Sequence, residues 1–297
     1  MATHPGTLQP QDGVEGTARA PDGLILRTIR WQPQVPPWAA LVLVHGLGEH
    51  AGRYRHVGRA LSEAGIDVHA FDLRGFGASA GPRAWIDRWS RFHDDLESRL
   101  QAARSAHPAL PLALYGHSMG GLVALGYVLA HPARGIQPDL LALSGPGIDS
   151  TTARWKVVLA PLMAALLPRM RIANGIGMGA LSRDPRVDQA NAADPLVQTR
   201  TTAHFGAEAF REQRRLRELL RRPGPLPVPT YVFHGGDDPV VPAASSEVFE
   251  GRPNVTRRVY PGLRHETHNE PEGPEVIADL VAWLGARVSG GVDSADN

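Results

Sequence analysis

The chain has 297 residues, 42% of them hydrophobic and 21% charged, with a formal net charge of +1. That balance supports a large buried core, excludes global disorder and gives no reason to expect nucleic acid as a partner. Cysteine is absent, which removes disulfides, thiolate nucleophiles, zinc–thiolate sites and iron–sulfur clusters. The opening segment MATHPGTLQPQDGVEG carries neither a basic nor an apolar leader region. No run of about 18 apolar residues occurs either. The expected setting is cytoplasmic, with peripheral membrane association as the alternative, and the length fits one α/β domain with an insertion.

Residues 1–14 read as flexible. GLILRTIRW follows a Pro21-Asp22-Gly23 turn signal and predicts a hairpin over residues 15–32. Ala39–Val44 (AALVLV) is a continuous apolar run, the mark of a strand buried on both faces. A helix near 52–64 and a second buried strand, Asp67–Phe71, come next. Residues 87–106 read as an amphipathic helix ending before His107-Pro108. Leu110–Tyr115 is the third buried strand, Met119–Ala130 a helix and Leu140–Leu143 the fourth strand. Strands alternating with helices through short connections predict a parallel sheet with helices on both faces. The rhythm breaks after Ser144-Gly145-Pro146-Gly147. Residues 148–226 hold an apolar stretch, a Gly-rich loop, a polar Asn/Asp segment and an Arg-rich helix, with no strong strand. They read as a helical insertion covering the sheet. The rhythm returns with Thr230–His234, a strand at 255–260 and a helix near 274–287, before a flexible tail from Ser289. The expected division is a core of 15–147 and 227–288, a helical cap of 148–226, and flexible termini of 1–14 and 289–297.

Chemistry concentrates at Gly116-His117-Ser118-Met119-Gly120, placed between a buried strand and a helix. A nucleophile elbow belongs there: the serine stands in a strained turn above the sheet, and flanking glycines allow close backbone approach. The helix beginning at Met119 aims N–H groups at the same spot. A serine hydroxyl needs a base, and the base an orienting acid, in the chain order Ser, acid, His. The acid candidates are Asp238, which heads the Asp-x-Val-Val-Pro turn and is preferred, and its neighbour Asp237. His265 after the last strand is the preferred base, with His268 three residues on. His107 and His131 precede prolines at helix ends and are expected to do nothing catalytic; His117 is expected to pack inside the elbow. The loop His45-Gly46-Leu47-Gly48-Glu49-His50 follows the first buried parallel strand. It makes the backbone N–H of Leu47, with that of Met119, the candidate oxyanion hole.

Together these residues resemble the monoacylglycerol lipase branch of the α/β-hydrolases. HGLGEHAGRY at 45–54, FDLRGFGASAGPR at 71–83, GHSMGG, SGPGI at 144–148, LSRDPRVDQANAADPLV at 181–197 and GLRHETHNE at 262–270 carry the likeness, which spans about residues 20–287. The resemblance implies an α/β-hydrolase fold with a helical cap and a Ser118–Asp238–His265 triad. It also implies cleavage of small lipid esters such as monoacylglycerols without a metal or other cofactor. It further implies a polar pocket at Glu49, Arg53 and His268 for the alcohol portion of the substrate; the alternative for Glu49 and Arg53 is an ion pair holding the loop. One departure is Ala190, where the family carries an aromatic residue before Asn-x-x-Asp-Pro, and it bears on glycerol selectivity. Asp72 and Arg74 read as structural. The apolar stretch 157–170 is expected to line an acyl tunnel, touch a membrane or micelle transiently, or pack on the core. The Arg-rich run 211–222 reads as a solvated amphipathic helix. The alternatives are a lysophospholipase or broad carboxylesterase/thioesterase and, third, a non-catalytic binder on the same fold. No obligate protein partner is expected.

Overall fold

β3 (Ala39–Val44) and β5 (Leu112–His117) are buried at every position, as strands covered on both faces must be. In the computed structural model, which describes residues 12–130 and 135–289, they lie at the centre of one eight-stranded sheet. His131 and most of the two expected flexible termini lie outside the described residues.

The sheet runs β1 (Val14–Arg19), β2 (Ile25–Trp31), β4 (Ile66–Phe71), β3, β5, β6 (Leu140–Ser144), β9 (Thr230–Gly235), β10 (Val255–Tyr260). The first two strands form the expected hairpin, and β2 pairs antiparallel with β4. Every pairing from β4 to β10 is parallel. Period-2 alternation sorts the central side chains between two cores. Val42 and Val44 face α2 (Ser90–Ala106) and α3 (Met119–Leu129), through Phe92, Leu96, Leu122 and Val123. Leu41 and Leu43 face α1 (Arg55–Glu63) and α7 (Gly273–Ser289), through Val57, Leu61, Ile277 and Leu280. Truncating one such leucine to alanine costs about 2–5 kcal/mol.

Between β6 and β9 come α4 (Arg154–Leu166), β7 (Arg171–Ala173), α5 (Pro185–Ala193), β8 (Arg200–Thr202) and α6 (Ala203–Leu220). No strong strand was expected in this segment, and it holds two short ones. β7 and β8 pair antiparallel over three residues, too few for any alternation to show in sequence. α6 starts before the Arg-rich run because Thr202 Oγ1 accepts the Phe205 N–H as an N-cap. Leu216 and Leu220 then anchor it in the α2–α3 core. The helix expected near 52–64 is a 3-10 turn, Ala51–Tyr54, followed by α1. Among the described residues no helix is long and apolar enough to cross a membrane.

The parallel direction has a functional consequence. The loops after β3, β5, β6, β9 and β10 all emerge on the carboxyl edge of the sheet. The chain passes from β3 to β4 on one side and then to β5 on the other, so the crevice where the strand order reverses opens beside the end of β5.

Candidate active site

Ser118 stands between β5 and α3 with φ 52° and ψ −117°. It is one of two non-glycine residues with positive φ among the described residues, a strain of about 1–3 kcal/mol. Neighbouring backbone holds it there: its N–H donates to Ser144 O at 2.9 Å, and its carbonyl accepts from Gly147 N at 2.8 Å and Leu122 N at 3.0 Å. The glycines around it are demanded by close approach. A Cβ on Gly116 would sit 2.4 Å from Gly120 O, and one on Gly120 would sit 2.2 Å from Val44 O.

The loops after β9 and β10 bring two further groups to the serine. Ser118 Oγ lies 2.8 Å from His265 Nε2, and His265 Nδ1 lies 2.7 Å from Asp238 Oδ2. With Nδ1–H donating to the carboxylate, Nε2 is left to accept the serine proton. Relative exposures of 8%, 2% and 7% for Ser118, His265 and Asp238 put the three in a nearly dry site. Asp238 Oδ1 accepts the Val240 and Val241 N–H groups at 2.8 and 2.9 Å. Burial opposes the charge on Asp238, but hydrogen bonds from His234, His265 and Val241 outweigh it and hold the carboxyl well below the usual range. Asp237 is exposed and enters the turn through its backbone N–H to Leu263 O. The two adjacent acids are thus separated by direction: one points at the histidine, the other at water.

The loop after β3 packs directly on the serine, since a Cβ on Gly46 would come within 3.3 Å of Ser118 Cβ. This places the loop that carries Leu47 beside the helix start that carries Met119. His45 locks the loop at one end: its Nε2 accepts from Leu73 N at 2.9 Å, and its Nδ1 faces Gly46 O at 2.8 Å. Burial pushes its pKa down, consistent with a neutral ring accepting a backbone N–H. Gly48 O accepts from Gln198 N at 2.6 Å, and His50 Nε2 reaches Asp194 Oδ2 at 2.8 Å. The loop is therefore pinned to the segment between β6 and β9 as well as to the sheet.

Glu49, Arg53 and His268 lie close by, but their polar groups point into protein. Glu49 Oε1 accepts from Gly46 N at 2.5 Å and Tyr54 OH at 2.6 Å, while Oε2 takes Arg53 Nη1 at 2.8 Å. Arg53 also grips Glu266 with both nitrogens, at 2.7 and 2.8 Å. His268 is buried and stacks on Tyr54 at 4.9 Å between ring centres. Neither of its ring nitrogens has a hydrogen-bond partner among the described residues. Burial, followed by the nearby His117 and His56, pushes its pKa well down. His117 packs in the elbow, its Nδ1 3.1 Å from Ser144 O. Ala190 is exposed on α5. Asp72 accepts the Ala51 and Ala78 N–H groups, and Arg74 pairs with Asp95 and Asp22, so both tie loops together.

Residues 35–272 match the family described as serine aminopeptidase, S33 (Hydrolase_4). The chain belongs to that family. The chain is similar to a monoacylglycerol lipase of Mycolicibacterium smegmatis, 35% identical over 263 residues, covering 86% of this chain and 90% of that one. Phospholipase YtpA of Bacillus subtilis is 28% identical, covering 81% and 93% respectively. Among solved structures, a monoacylglycerol lipase from Paleococcus ferrophilus aligns with a TM-score of 0.77 at 29% identity, over 89% of this chain and 98% of that one. The fold is that of the α/β-hydrolases, and the chain is an ester hydrolase of this family.

Three residues at the site carried no role in the sequence reading. His234 on β9 is fully buried and places Nε2 3.1 Å from Asp238 Oδ2, the same oxygen that His265 uses. Glu266, next to the histidine, clamps Arg53. Glu270 accepts the Arg264 N–H at 2.7 Å and reaches Ser182 and Arg183 across the sheet edge. The signals were a histidine four residues before the acid and the acid-rich run His-Glu-Thr-His-Asn-Glu; neither states a partner by itself.

Proposed function

We propose that this enzyme hydrolyses carboxylic esters of monoacylglycerols through an acyl-enzyme on Ser118. The observation that carries the reading is the unbroken hydrogen-bonded line from Ser118 Oγ through His265 to Asp238 at the carboxyl edge of the sheet. The lipase names of relatives covering nearly the whole chain support the substrate class. Ser118 Oγ attacks the ester carbonyl carbon while His265 Nε2 takes its proton. Asp238 holds the ring and stabilises the imidazolium. The N–H groups of Leu47 and Met119 receive the charge that builds on the carbonyl oxygen. Collapse expels the alcohol, which takes the proton from His265. Water, deprotonated by the same histidine, then attacks the acyl-enzyme and frees the fatty acid and Ser118.

The segment between β6 and β9 is proposed to act as the cap. No residue of α4 is buried, and Trp155, Val158, Leu162 and Leu166 are exposed at helical spacing. An apolar stripe facing outward suits transient contact with the membrane or micelle that holds the substrate. It leaves the acyl-tunnel role to other residues of the segment. The kinship with a phospholipase favours one second reading, a lysophospholipid or broader ester substrate. Initial rates on 1-monoacylglycerols, lysophosphatidylcholine and p-nitrophenyl esters, with Ser118→Ala as the blank, test both. Dominant monoacylglycerol turnover is expected. Equal rates on simple esters would reject the substrate assignment, and full activity in Ser118→Ala would reject the mechanism.

A further inference from the structure

Asp67 and His69 lie two residues apart on β4, so they share a face of the sheet. His107, the residue that ends α2, comes down on the same face. The cluster sits toward the amino end of the parallel strands, away from Ser118. A carboxylate oxygen of Asp67 and one ring nitrogen each of His69 and His107 all lie within 4.8 Å of one another. Asp67 is buried, whereas the side chains of His69 and His107 are 21% and 18% exposed, which leaves a path from solvent. His107 Nε2 is 2.5 Å from Asp67 Oδ2. His69 Nε2 is shielded from solvent and lies 3.4 Å from Asp67 Oδ1, too far for a good hydrogen bond. A shielded imidazole nitrogen thus faces a carboxylate that already carries a second imidazole.

We propose that Asp67, His69 and His107 form a binding site for a divalent transition metal of the zinc class. Two imidazoles and a carboxylate are the donor set such ions take, with water completing the shell at an accessible site. Donor atoms about 2.0–2.1 Å from a tetrahedral ion are about 3.3 Å apart. The His69–Asp67 separation already fits that geometry. His107 meets the other oxygen, at 2.5 Å, so its ring has to draw back and turn with the carboxylate toward one shared position, carrying its proton on Nδ1. Arg30, cross-strand from His69 in the β2–β4 ladder, donates Nε to Asp67 Oδ1 at 3.0 Å and Nη2 to Oδ2 at 2.5 Å. A carboxylate offers about four lone-pair directions, so the guanidinium leaves room for an ion. Its positive charge opposes one, and binding is therefore expected in the micromolar range. The ion would staple β4 to the end of α2, raising stability without entering the hydrolytic chemistry.

The test is calorimetric titration of untagged, chelator-treated full-length protein with zinc chloride. Cobalt(II) absorption and thermal unfolding are followed in parallel. One zinc per chain, visible cobalt bands of low-coordinate nitrogen/oxygen type and a zinc-dependent rise in Tm are expected. His69→Gln and His107→Gln each weaken binding at least tenfold at unchanged esterase activity, and Arg30→Gln tightens it severalfold. Absence of stoichiometric zinc, or zinc binding that survives both histidine variants, overturns the proposal. So does an Arg30→Gln variant that binds no better than the parent.

Discussion

Arg53→Met tests whether the buried charges beside the serine hold the loop or hold the substrate. Arg53 is 12% exposed and lies between Glu49 and Glu266, at 5% and 3%. Methionine keeps most of the volume but strands two carboxylates with little water to replace the guanidinium. Removing one partner of a buried pair costs about 3–5 kcal/mol, and the slight exposure of Arg53 argues for the lower end. At about 2–4 °C per kcal/mol for a domain of this class, Tm should fall by roughly 6–12 °C. Glu49 also fixes the Gly46 N–H, so the loop that presents Leu47 should loosen with it. The expected kinetic result is a lower kcat on every ester, with monoacylglycerol and p-nitrophenyl butyrate affected in parallel. Scanning calorimetry and paired kcat/KM measurements decide the matter. An unchanged Tm, with the loss confined to the glycerol ester, would refute the reasoning and make Arg53 a substrate contact.

The two adjacent acids give a sharper contrast: Asp238→Asn should lower kcat by roughly ten-thousand-fold, whereas Asp237→Asn, altering an exposed side chain, should stay within a few-fold. Comparable losses in the two would refute the assignment. Gly120→Ala drives a Cβ to 2.2 Å from Val44 O and 2.5 Å from His45 O; both are backbone atoms with nowhere to go, so soluble, fully active protein would contradict the packing argument. The buried histidines set an acid limit on stability. Burial first, then His265 nearby, pushes His117 down to about 3, so its contribution is complete above the unfolded value near 6.5 and is lost as pH falls toward 3. At pH 5 that one group should cost about 2 kcal/mol relative to pH 7. Urea unfolding of His117→Asn at both values should show a correspondingly smaller pH difference, and an identical difference would reject the argument.

The elbow, the acid turn and the terminal histidine were legible because their chemistry fixes short local patterns. A strained serine needs glycines on either side, and a parallel sheet delivers its loops to one edge in a set order. The central strands were legible for a similar reason, since burial on both faces leaves little room for polar residues. The strand ends were not: β5 runs on to His117, two residues past the expected Tyr115, because the polar residues of the elbow break the apolar pattern while the backbone ladder continues. The β7–β8 pair left no periodic trace at all, being held by backbone pairing between residues some thirty positions apart.

The same division separates the residues proposed to react from those that hold them. Ser118, His265 and Asp238 announce themselves through neighbours in sequence. Their supports are tertiary: Arg53 meets Glu266 across 213 positions and His50 meets Asp194 across 144. A buried Glu49 reads equally well as a ligand for glycerol or as half of an ion pair until its partners are known. Once Oε1 is seen to be taken twice, by Gly46 and Tyr54, and Oε2 by Arg53, only one lone-pair direction stays open, on Oε2, and a substrate hydroxyl that reaches Oε1 must displace one of its donors. That exchange leaves a buried donor unpaired, at a cost of about 1–3 kcal/mol or more. A single hydroxyl contact returns about the same or less. The hydrogen-bonding balance therefore favours Glu49 as the residue that shapes the loop, with alcohol selectivity falling to groups whose polar atoms face the crevice.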